Sequence, residues 1–420
     1  MVKKGYKQTE IGVLPEDWKI STLEVQYNIT SSKRVFQSEW RDSGIPFYRA
    51  REIAVMGEGV PAPKGLYISE EMYERYSKQY GAIKENDVLI TGVGTLGKVY
   101  VVKKDDRFYF KDGNIIWLQW NGQYSSQFLK QLYRTPALID QVFENSGGST
   151  VPTYTITNAK ATIVPCPDYS EQCEIAEVLS SVDTLIAVIE KQLSKKKAIK
   201  QGAMQELLTG KRRLPGFSGE WRYFNLMKNS KVKARIGWQG LKKSEYLDSG
   251  YALLVTGTDF DDGRVLWDRC HYVTRSRYEQ DRNIQLQNND ILITKDGSLG
   301  KAALVQGLTK PATLNSGIFV IRPLQDAYDP VFVYQILSSF VFKNFLDRLS
   351  AGSTIIHLYQ KDVGKFEFLL PPTIAEQKAI AEALSEMDAD IAALENKLTK
   401  YRQVKQGMMQ QLLTGKIRLV

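Results

Sequence analysis

Histidine and cysteine are scarce in this sequence, with two histidines and three cysteines among 420 residues. His271 and His357 belong to no cluster of catalytic or metal-ligating type, and Cys166, Cys173 and Cys270 form no Cys-x-x-Cys pair. The histidine and cysteine residues that a zinc site or a Ser-His-Asp triad requires are therefore nearly absent. An odd number of cysteines without such a pair is typical of a reducing compartment, so we expect a cytoplasmic protein.

Long hydrophobic runs are also absent. No stretch is long and apolar enough to span a bilayer, and no apolar segment follows the basic N-terminus, so we expect no signal peptide and no membrane partner. Lysine and arginine (56) outnumber aspartate and glutamate (47), and the resulting net charge of +9 favours an anionic partner. Hydrophobic residues make up an ordinary 43 %, and the length predicts two or three globular domains.

Motifs of nucleotide-binding and catalytic sites are incomplete. Gly92–Lys98 matches G-x-G-x-x-G and part of a P-loop, but it precedes the β-rich run Val99–Val102 instead of a helix. Adenine methyltransferases need an Asn/Asp-Pro-Pro-aromatic turn, and the nearest string, Leu370–Thr373, lacks both the polar first residue and the aromatic one. The sequence therefore predicts no catalytic residue, no metal ligand and a tight strand-to-strand turn at Gly92–Lys98.

An internal repeat organises the chain. Residues 166–214 align with residues 371–419 at a constant offset of 205, and more than half of the aligned positions are identical. Apolar residues recur in both copies at a 4-3-4-3-4 spacing, which predicts one long helix with a heptad seam in each copy. Glycines at 210 and 415 mark the helix ends. The predicted seam residues are Ile175, Leu179, Val182, Ile186, Ile189 and Leu193 in the first copy and Ile380, Leu384, Met387, Ile391, Leu394 and Leu398 in the second.

Charge indicates how the two helices pair. Residues 168–190 carry only acidic charges, whereas residues 191–213 are almost entirely basic, and the second copy follows the same division. A helix macrodipole explains charge at a terminal turn but not over half a helix. Side by side in antiparallel register, each acidic half would face the other helix's basic half. We therefore predict an antiparallel intramolecular coiled coil.

The segments between the helices are duplicated more faintly: Asp87–Lys98 aligns with Asp290–Lys301, and scattered residues such as Trp18 with Trp221 and Tyr67 with Tyr272 also match. Each alternates short β-rich runs with helical stretches, which predicts an α+β fold in a pseudo-twofold tandem repeat. The predicted organisation is a globular domain (1–166), a long helix (167–213), a second globular domain (214–370) and a C-terminal long helix (371–420).

With these helices and the recurring G-x-L-G-K turn, the sequence resembles the specificity (S) subunit of type I restriction–modification enzymes over essentially its whole length. The resemblance implies two α/β target recognition domains, each reading one half of an asymmetric, split site on double-stranded DNA. It also implies that the helices set the half-site spacing and dock two methyltransferase (M) subunits, and that translocase–nuclease (R) subunits complete the enzyme. No cofactor is expected in this chain, since S-adenosylmethionine would be bound by M, and ATP with magnesium by R.

The residues predicted to contact DNA are basic side chains of the globular segments, without a choice between base and phosphate contact. They are Arg49, Arg51, Lys98, Arg275, Arg277 and Lys301. Apolar pairs near the helix ends are predicted to dock the partner subunits, with packing against the neighbouring globular domain as the alternative. These pairs are Leu207, Leu208, Leu412 and Leu413.

Two other function classes fit the sequence less well. A self-contained DNA methyltransferase or nuclease lacks its catalytic motifs here. A coiled-coil adaptor that binds only proteins would not need two basic, diverged domains. The resemblance to a non-catalytic specificity subunit therefore remains the preferred interpretation.

Overall fold

A computed structural model describes residues 3–144, 152–237, 240–350 and 357–419. The chain divides into two compact units, and each unit combines one globular segment with half of each long helix. Unit 1 comprises Met1–Glu190 and Asn396–Val420, and unit 2 comprises Lys191–Glu395. The predicted division into four segments differs from these units, because half of each long helix packs into a globular core.

Unit 1 mixes short strands with short helices. The strands are β1 (Tyr6–Thr9), β2 (Gly12–Pro15), β3 (Lys19–Thr22), β4 (Asn28–Thr30), β5 (Ile45–Tyr48), β6 (Leu66–Ile68), β7 (Val88–Thr91), β8 (Val99–Val101), β9 (Tyr109–Phe110), β10 (Ile115–Gln119) and β11 (Ile163–Cys166). The helices are α1 (Leu23–Gln26), α2 (Ala50–Gly57), α3 (Glu70–Tyr80), α4 (Ser126–Leu132), α5 (Pro136–Glu144) and α6 (Ile156–Ala161).

The two long helices are α7 (Tyr169–Leu207) and, at the end of the chain, α12 (Ile374–Leu412). Unit 2 contains the remaining elements between them. Its strands are β12 (Arg222–Asn225), β13 (Ser230–Lys233), β14 (Ala252–Val255), β15 (Phe260–Asp261), β16 (Arg264–Val265), β17 (His271–Val273), β18 (Ile291–Thr294), β19 (Ala302–Leu304), β20 (Ala312–Leu314), β21 (Ile318–Pro323) and β22 (Glu367–Leu370). Its short helices are α8 (Arg275–Glu279), α9 (Pro330–Leu337), α10 (Phe340–Ser350) and α11 (Gln360–Val363).

Three sheets of unit 1 recur in unit 2 with the same strand order, and among the described residues the β1–β2 hairpin is an addition of unit 1. The order β4-β10-β7-β8 in unit 1 recurs as β13-β21-β18-β19 in unit 2, where β16 and β15 extend the sheet. The order β6-β5-β9 recurs as β17-β14-β20, and the second pair of strands is parallel in both. The antiparallel pair β3–β11 likewise recurs as β12–β22. The predicted tandem repeat of mixed α and β domains is confirmed.

Each long helix has 39 residues, which corresponds to ~58 Å of straight helix at 1.5 Å per residue. Gly210 and Gly415, just beyond the helix ends, have φ angles of +70° and +64°, the left-handed conformation that glycine adopts without strain. Gly202 and Gly407 lie within the helices, and a Cβ atom added to either would meet no heavy atom within 4 Å. Close approach of the chain's own helices therefore does not explain these two glycines.

The predicted seam residues are all at least half-buried. Ile175, Leu179, Ile189, Ile380, Leu384, Ile391 and Leu398 are buried, and Val182, Ile186, Leu193, Met387 and Leu394 are half-buried. The residues closest to the helix N-termini pack into globular cores instead of forming only a helix-to-helix seam. Ile175 and Leu179 belong to the main core of unit 1 with Trp18, and Ile380 and Leu384 belong to the main core of unit 2.

Candidate functional site: the helix pair and the basic surfaces

In unit 1, ion pairs join α7 to the last part of α12. Asp183 binds the ammonium of Lys405 at 2.5 Å, and Glu190 binds Arg402 at 2.6 Å. As the residue numbers rise along α7 they fall along α12, so the two segments run antiparallel.

Unit 2 repeats this arrangement at positions shifted by 205 residues. Asp388 pairs with Lys200, and Glu395 pairs with Lys197 at 2.7 Å. A further pair, Lys196–Asp390 at 2.6 Å, has no equivalent at the same offset. Acidic and basic halves therefore face each other in both units, and the predicted antiparallel pairing is confirmed within each.

A buried carboxylate anchors the outer end of the helix pair in each unit. In unit 1 the side chain of Glu171 is 0 % exposed, and it accepts hydrogen bonds from Arg418 at 2.7 Å and from the Trp18 indole at 3.1 Å. The hydrogen bond to Glu171 raises the pKa of the Arg418 guanidinium. This cluster ties the chain start, the first turn of α7 and the chain end together.

The equivalent carboxylate of unit 2 is Glu376, whose side chain is also 0 % exposed. It accepts hydrogen bonds from Arg213 at 2.7 Å and from the Trp221 indole at 3.3 Å. Neither cluster is among the predicted sites, although its signal is present in the sequence, where Trp18 aligns with Trp221 and Glu171 with Glu376.

Asp183 also links the helix pair to the globular part of unit 1. Its carboxylate accepts hydrogen bonds from Arg134 at 2.7 Å and from Gln131 at 3.2 Å, in addition to the Lys405 pair. Burial alone would raise the pKa of Asp183, but Lys405 and Arg134 outweigh it, so the pKa is lowered. Burial lowers the pKa of Lys405.

The predicted DNA contacts of unit 1 lie on or beside α2. Arg49 precedes the helix and pairs with Glu52 at 3.1 Å, and Arg51 is exposed with no ion pair to the described residues. Lys98 follows the β7–β8 turn and pairs with Glu58, the C-cap residue of α2, at 2.7 Å. Three cations thus accompany one short helix, two of them already paired with carboxylates.

The predicted DNA contacts of unit 2 lie in two places. Arg275 and Arg277 lie on α8, where they pair with Glu279 and Glu245 at 2.7 and 2.6 Å. Lys301 follows the β18–β19 turn, and its ammonium donates a hydrogen bond to a backbone carbonyl at 2.5 Å. DNA contact by the six residues stays a prediction, since nothing in the isolated chain tests it.

The four leucines assigned to partner docking lie inside the chain's own cores. Leu412 and Leu413 are 4 % and 3 % exposed and pack in the core of unit 1, and Leu207 and Leu208 are 6 % and 1 % exposed and pack in the core of unit 2. The expectation that these side chains form a docking surface is therefore corrected, because each helix end turns its leucines toward the adjoining globular segment.

Apolar residues and glycine occur instead on the exposed surface of the helices, at positions that are not among the predicted docking residues. Ile199 in unit 2 is 49 % exposed and Val404 in unit 1 is 42 % exposed, and the two are equivalent at the offset of 205. Gly202 and Gly407 follow three residues later, where i and i+3 positions are neighbours on a helix. Each unit thus presents an exposed apolar side chain beside an uncovered glycine.

The G-x-L-G-K turns connect antiparallel strands, β7 to β8 and β18 to β19. The hydroxyl of Thr91 accepts a hydrogen bond from the Lys98 amide at 3.0 Å, and Thr294 does the same for Lys301 at 2.9 Å. The predicted strand-to-strand turn is confirmed, and the helix that a P-loop requires is not present there.

Across residues 3–144, 152–237, 240–350 and 357–419, no metal-binding cluster of His, Cys, Asp or Glu occurs. No helix in these ranges is both long and apolar enough to cross a membrane.

Comparisons with known proteins agree on one family. The type I restriction modification DNA specificity domain matches the chain twice, over residues 15–199 and 239–405. The type I restriction enzyme MjaVIII specificity subunit of Methanocaldococcus jannaschii is 24 % identical over 447 residues, covering 99 % of this chain and 97 % of the relative. The EcoBI specificity subunit of Escherichia coli is 22 % identical over 323 residues, covering 70 % of this chain and 66 % of the relative.

A solved structure has the same fold. The crystal structure of a type I restriction–modification S subunit from M. genitalium superimposes with a TM-score of 0.63 at 14 % identity, covering 94 % of this chain and 96 % of that one. The first domain match lies mainly in unit 1 and the second mainly in unit 2, and together they cover most of the sequence. This chain belongs to the family of type I restriction–modification specificity subunits.

Proposed function

We propose that this chain is the non-catalytic, cytoplasmic specificity subunit that gives a type I restriction–modification complex its DNA target. In this proposal each globular segment reads one half of an asymmetric, split site, and the helix pair sets the spacing and docks methyltransferase subunits. S-adenosylmethionine, ATP and magnesium act on the methyltransferase and translocase–nuclease partners.

The observation that carries the proposal is one fold built twice with different surfaces. The sheet topology and the buried carboxylate clusters recur in both units, so the scaffold is the same. Lys98 and Lys301 recur at the equivalent turn, but the arginines do not: unit 1 places Arg49 and Arg51 around α2, whereas unit 2 places Arg275 and Arg277 on α8. Two equivalent scaffolds with different basic side chains are suited to two different half-sites.

Exchange of one globular segment tests modular reading of DNA. Residues 16–165 begin before β3 and end within β11, which pair with each other, so nearly all of this sheet is exchanged as one piece. Replacing them with the same segment of a relative that retains Trp18, whose indole binds Glu171, should change one half of the methylated site and leave the other half unchanged. Methylation mapping in a host with the partner subunits measures both halves, and a change in both would contradict modular reading.

For docking, the exposed apolar–glycine sites are better suited than the buried leucines. A helix from a partner can approach closely where glycine leaves no side chain, and Ile199 or Val404 then supplies apolar area beside it. The sites are equivalent in the two units, which fits two copies of one partner. We therefore assign methyltransferase docking to Ile199 with Gly202 and to Val404 with Gly407.

Substitutions at these sites should separate docking from folding. Ile199→Asp combined with Val404→Asp should weaken binding of the purified methyltransferase subunit at least tenfold, about 1.4 kcal/mol, because charge replaces exposed apolar area. The unfolding temperature of the isolated chain should change little, because both side chains are exposed in the folded state. Titration calorimetry and thermal unfolding measure the two effects. The matched control is Val60→Asp, at a 55 % exposed valine outside the long helices.

A glycine variant gives an independent arm of the same test. Gly202→Leu with Gly407→Leu should stabilise the isolated chain by up to about 1 kcal/mol per site, because leucine is a better helix former and its Cβ meets open space. The same side chains should obstruct a partner helix and weaken binding. Tight binding by these variants would show that the partner docks elsewhere.

A further inference from the structure

Unit 1 contains a cavity of about 310 Å³ between the β7–β8 turn and the helices α4 and α5. The turn contributes Gly97 and Lys98, α4 and the residues after it contribute Lys130 and Arg134, and α5 contributes Ile139. Glu58 is the acidic residue of the lining. The lining therefore combines three cations, one carboxylate and an apolar wall.

The cations of this cavity are unequally compensated. Lys98 pairs with Glu58 at 2.7 Å, and Arg134 pairs with Asp183 at the same distance. Lys130 is half-buried, and no carboxylate of the described residues lies within 4.0 Å of its ammonium. Burial lowers the pKa of Lys130 and repulsion by Arg134 adds to this, while attraction by Asp183 and Glu58 opposes it only in part. A cation that has lost water without gaining a direct ion pair costs stability and favours binding of a further anion.

The opposite wall identifies what kind of anion fits. Ile139 is 39 % exposed, and Val142, which is buried, and Phe143 lie beside it on the same helix. A nucleic-acid phosphate would satisfy the cations but would gain nothing from this apolar wall. An acidic side chain next to an apolar one, on a protein segment, satisfies both.

The equivalent place in unit 2 is built differently. The Gln131–Asp183 and Gln335–Asp388 contacts set the correspondence, which puts Tyr334 where Lys130 stands and Ser338 where Arg134 stands. Lys343 replaces Ile139. The cavity there is larger, about 1100 Å³, and two of its lysines already form the ion pairs with Glu395 and Asp388. The unit 2 cavity also has apolar lining, from Phe342 and Leu346, so what is specific to unit 1 is the half-buried lysine without an ion pair to the described residues.

We propose that the unit 1 cavity binds an acidic side chain, flanked by an apolar one, from the methyltransferase subunit that docks on the helix pair. This inference rests on the proposed docking function. Continuity of the surface supports it: Val404 precedes Lys405, Lys405 shares Asp183 with Arg134, and Arg134 lines the cavity. A partner seated at Val404 and Gly407 therefore has the cavity within its reach.

Lys130→Met tests the proposal, because methionine keeps the apolar stem of lysine and removes the ammonium. The isolated variant should unfold at the same or a higher temperature than the wild-type chain. Its affinity for the purified methyltransferase subunit should fall at least tenfold, with a weaker dependence on salt. Lys130→Arg should retain most of the affinity, and the control Lys78→Met, at an exposed lysine of α3, should change neither quantity.

The possible results are distinguishable. If the wild-type chain binds the methyltransferase and Lys130→Met binds it equally well, the proposal is wrong while the docking function stands. If Lys130→Met instead loses affinity for duplex DNA of any sequence, the cavity holds a phosphate and the proposal is overturned. A fall in unfolding temperature that accompanies the loss of binding would assign Lys130 a structural role. If the wild-type chain itself binds no methyltransferase, the proposed docking function has failed first.

Discussion

Glu171→Ala should lower the free energy of unfolding of unit 1 by about 3 kcal/mol, the lower end of the cost of breaking a buried ion pair, because Arg418 is 32 % exposed and also pairs with Asp17. The carboxylate is 0 % exposed and accepts hydrogen bonds from both Arg418 and Trp18. Removing it leaves the buried side of a guanidinium and an indole N–H without their acceptor, and each unsatisfied donor has a cost of its own. The loss of stability should affect unit 1, because Glu171 and its partners Trp18 and Arg418 all belong to that unit.

Glu190→Ala is the matched control for this prediction. Glu190, like Glu171, pairs with an arginine, in this case Arg402 of α12. Both side chains of this pair are exposed, Glu190 at 46 % and Arg402 at 59 %. Exposed pairs contribute at most about 1 kcal/mol, so the control should unfold nearly like the wild-type chain. Urea unfolding gives the magnitude, and amide hydrogen exchange shows which unit loses protection. Equal effects of the two substitutions would contradict the role assigned to the buried cluster.

The long helices were predictable because their signals are local or repeated. The heptad spacing lies within the helices and the terminal glycines lie just beyond them, and the structure has α7 at Tyr169–Leu207 and α12 at Ile374–Leu412. The antiparallel pairing followed from charge, since acidic and basic halves of equal length leave one favourable register. The ion pairs of Asp183 and Asp388 occur in that register.

The docking surface was not predictable in the same way. Leu207 and Leu412 differ little in sequence context from any exposed helical leucine, and their burial depends on a globular segment that packs from elsewhere in the chain. Among the basic residues, the burial of Arg235 likewise depends on tertiary packing. It is 2 % exposed, and its guanidinium donates hydrogen bonds to the carbonyl of Leu314 and the hydroxyl of Thr313. Tertiary packing, which composition does not reveal, decides which cations face a partner.

Matched insertions of seven residues after Leu193 and Leu398 should lengthen the gap between the two half-sites by about three base pairs. Seven helical residues add ~10 Å at 1.5 Å per residue, and B-DNA rises about 3.4 Å per base step. A full heptad keeps the seam in phase, whereas a four-residue insertion introduces a stutter. The insertions leave the ion pairs of both units intact, because the two partners of each pair stay in the same unit. Asp183 and Lys405 remain together in unit 1, and Asp388 and Lys200 remain together in unit 2.

The rival account is that DNA bending or the methyltransferase subunits set the spacing and that the helices only tie the chain together. Methylation mapping distinguishes the two accounts, because both half-sites should stay unchanged while the number of base pairs between them increases. An insertion in α7 alone serves as the control, since it displaces the basic half of that helix relative to α12 and should destabilise the helix pair. If the doubly inserted chain folds, assembles and still methylates only sites of the original spacing, the helices do not set the spacing. The spacing would then be a property of the partner subunits or of the DNA.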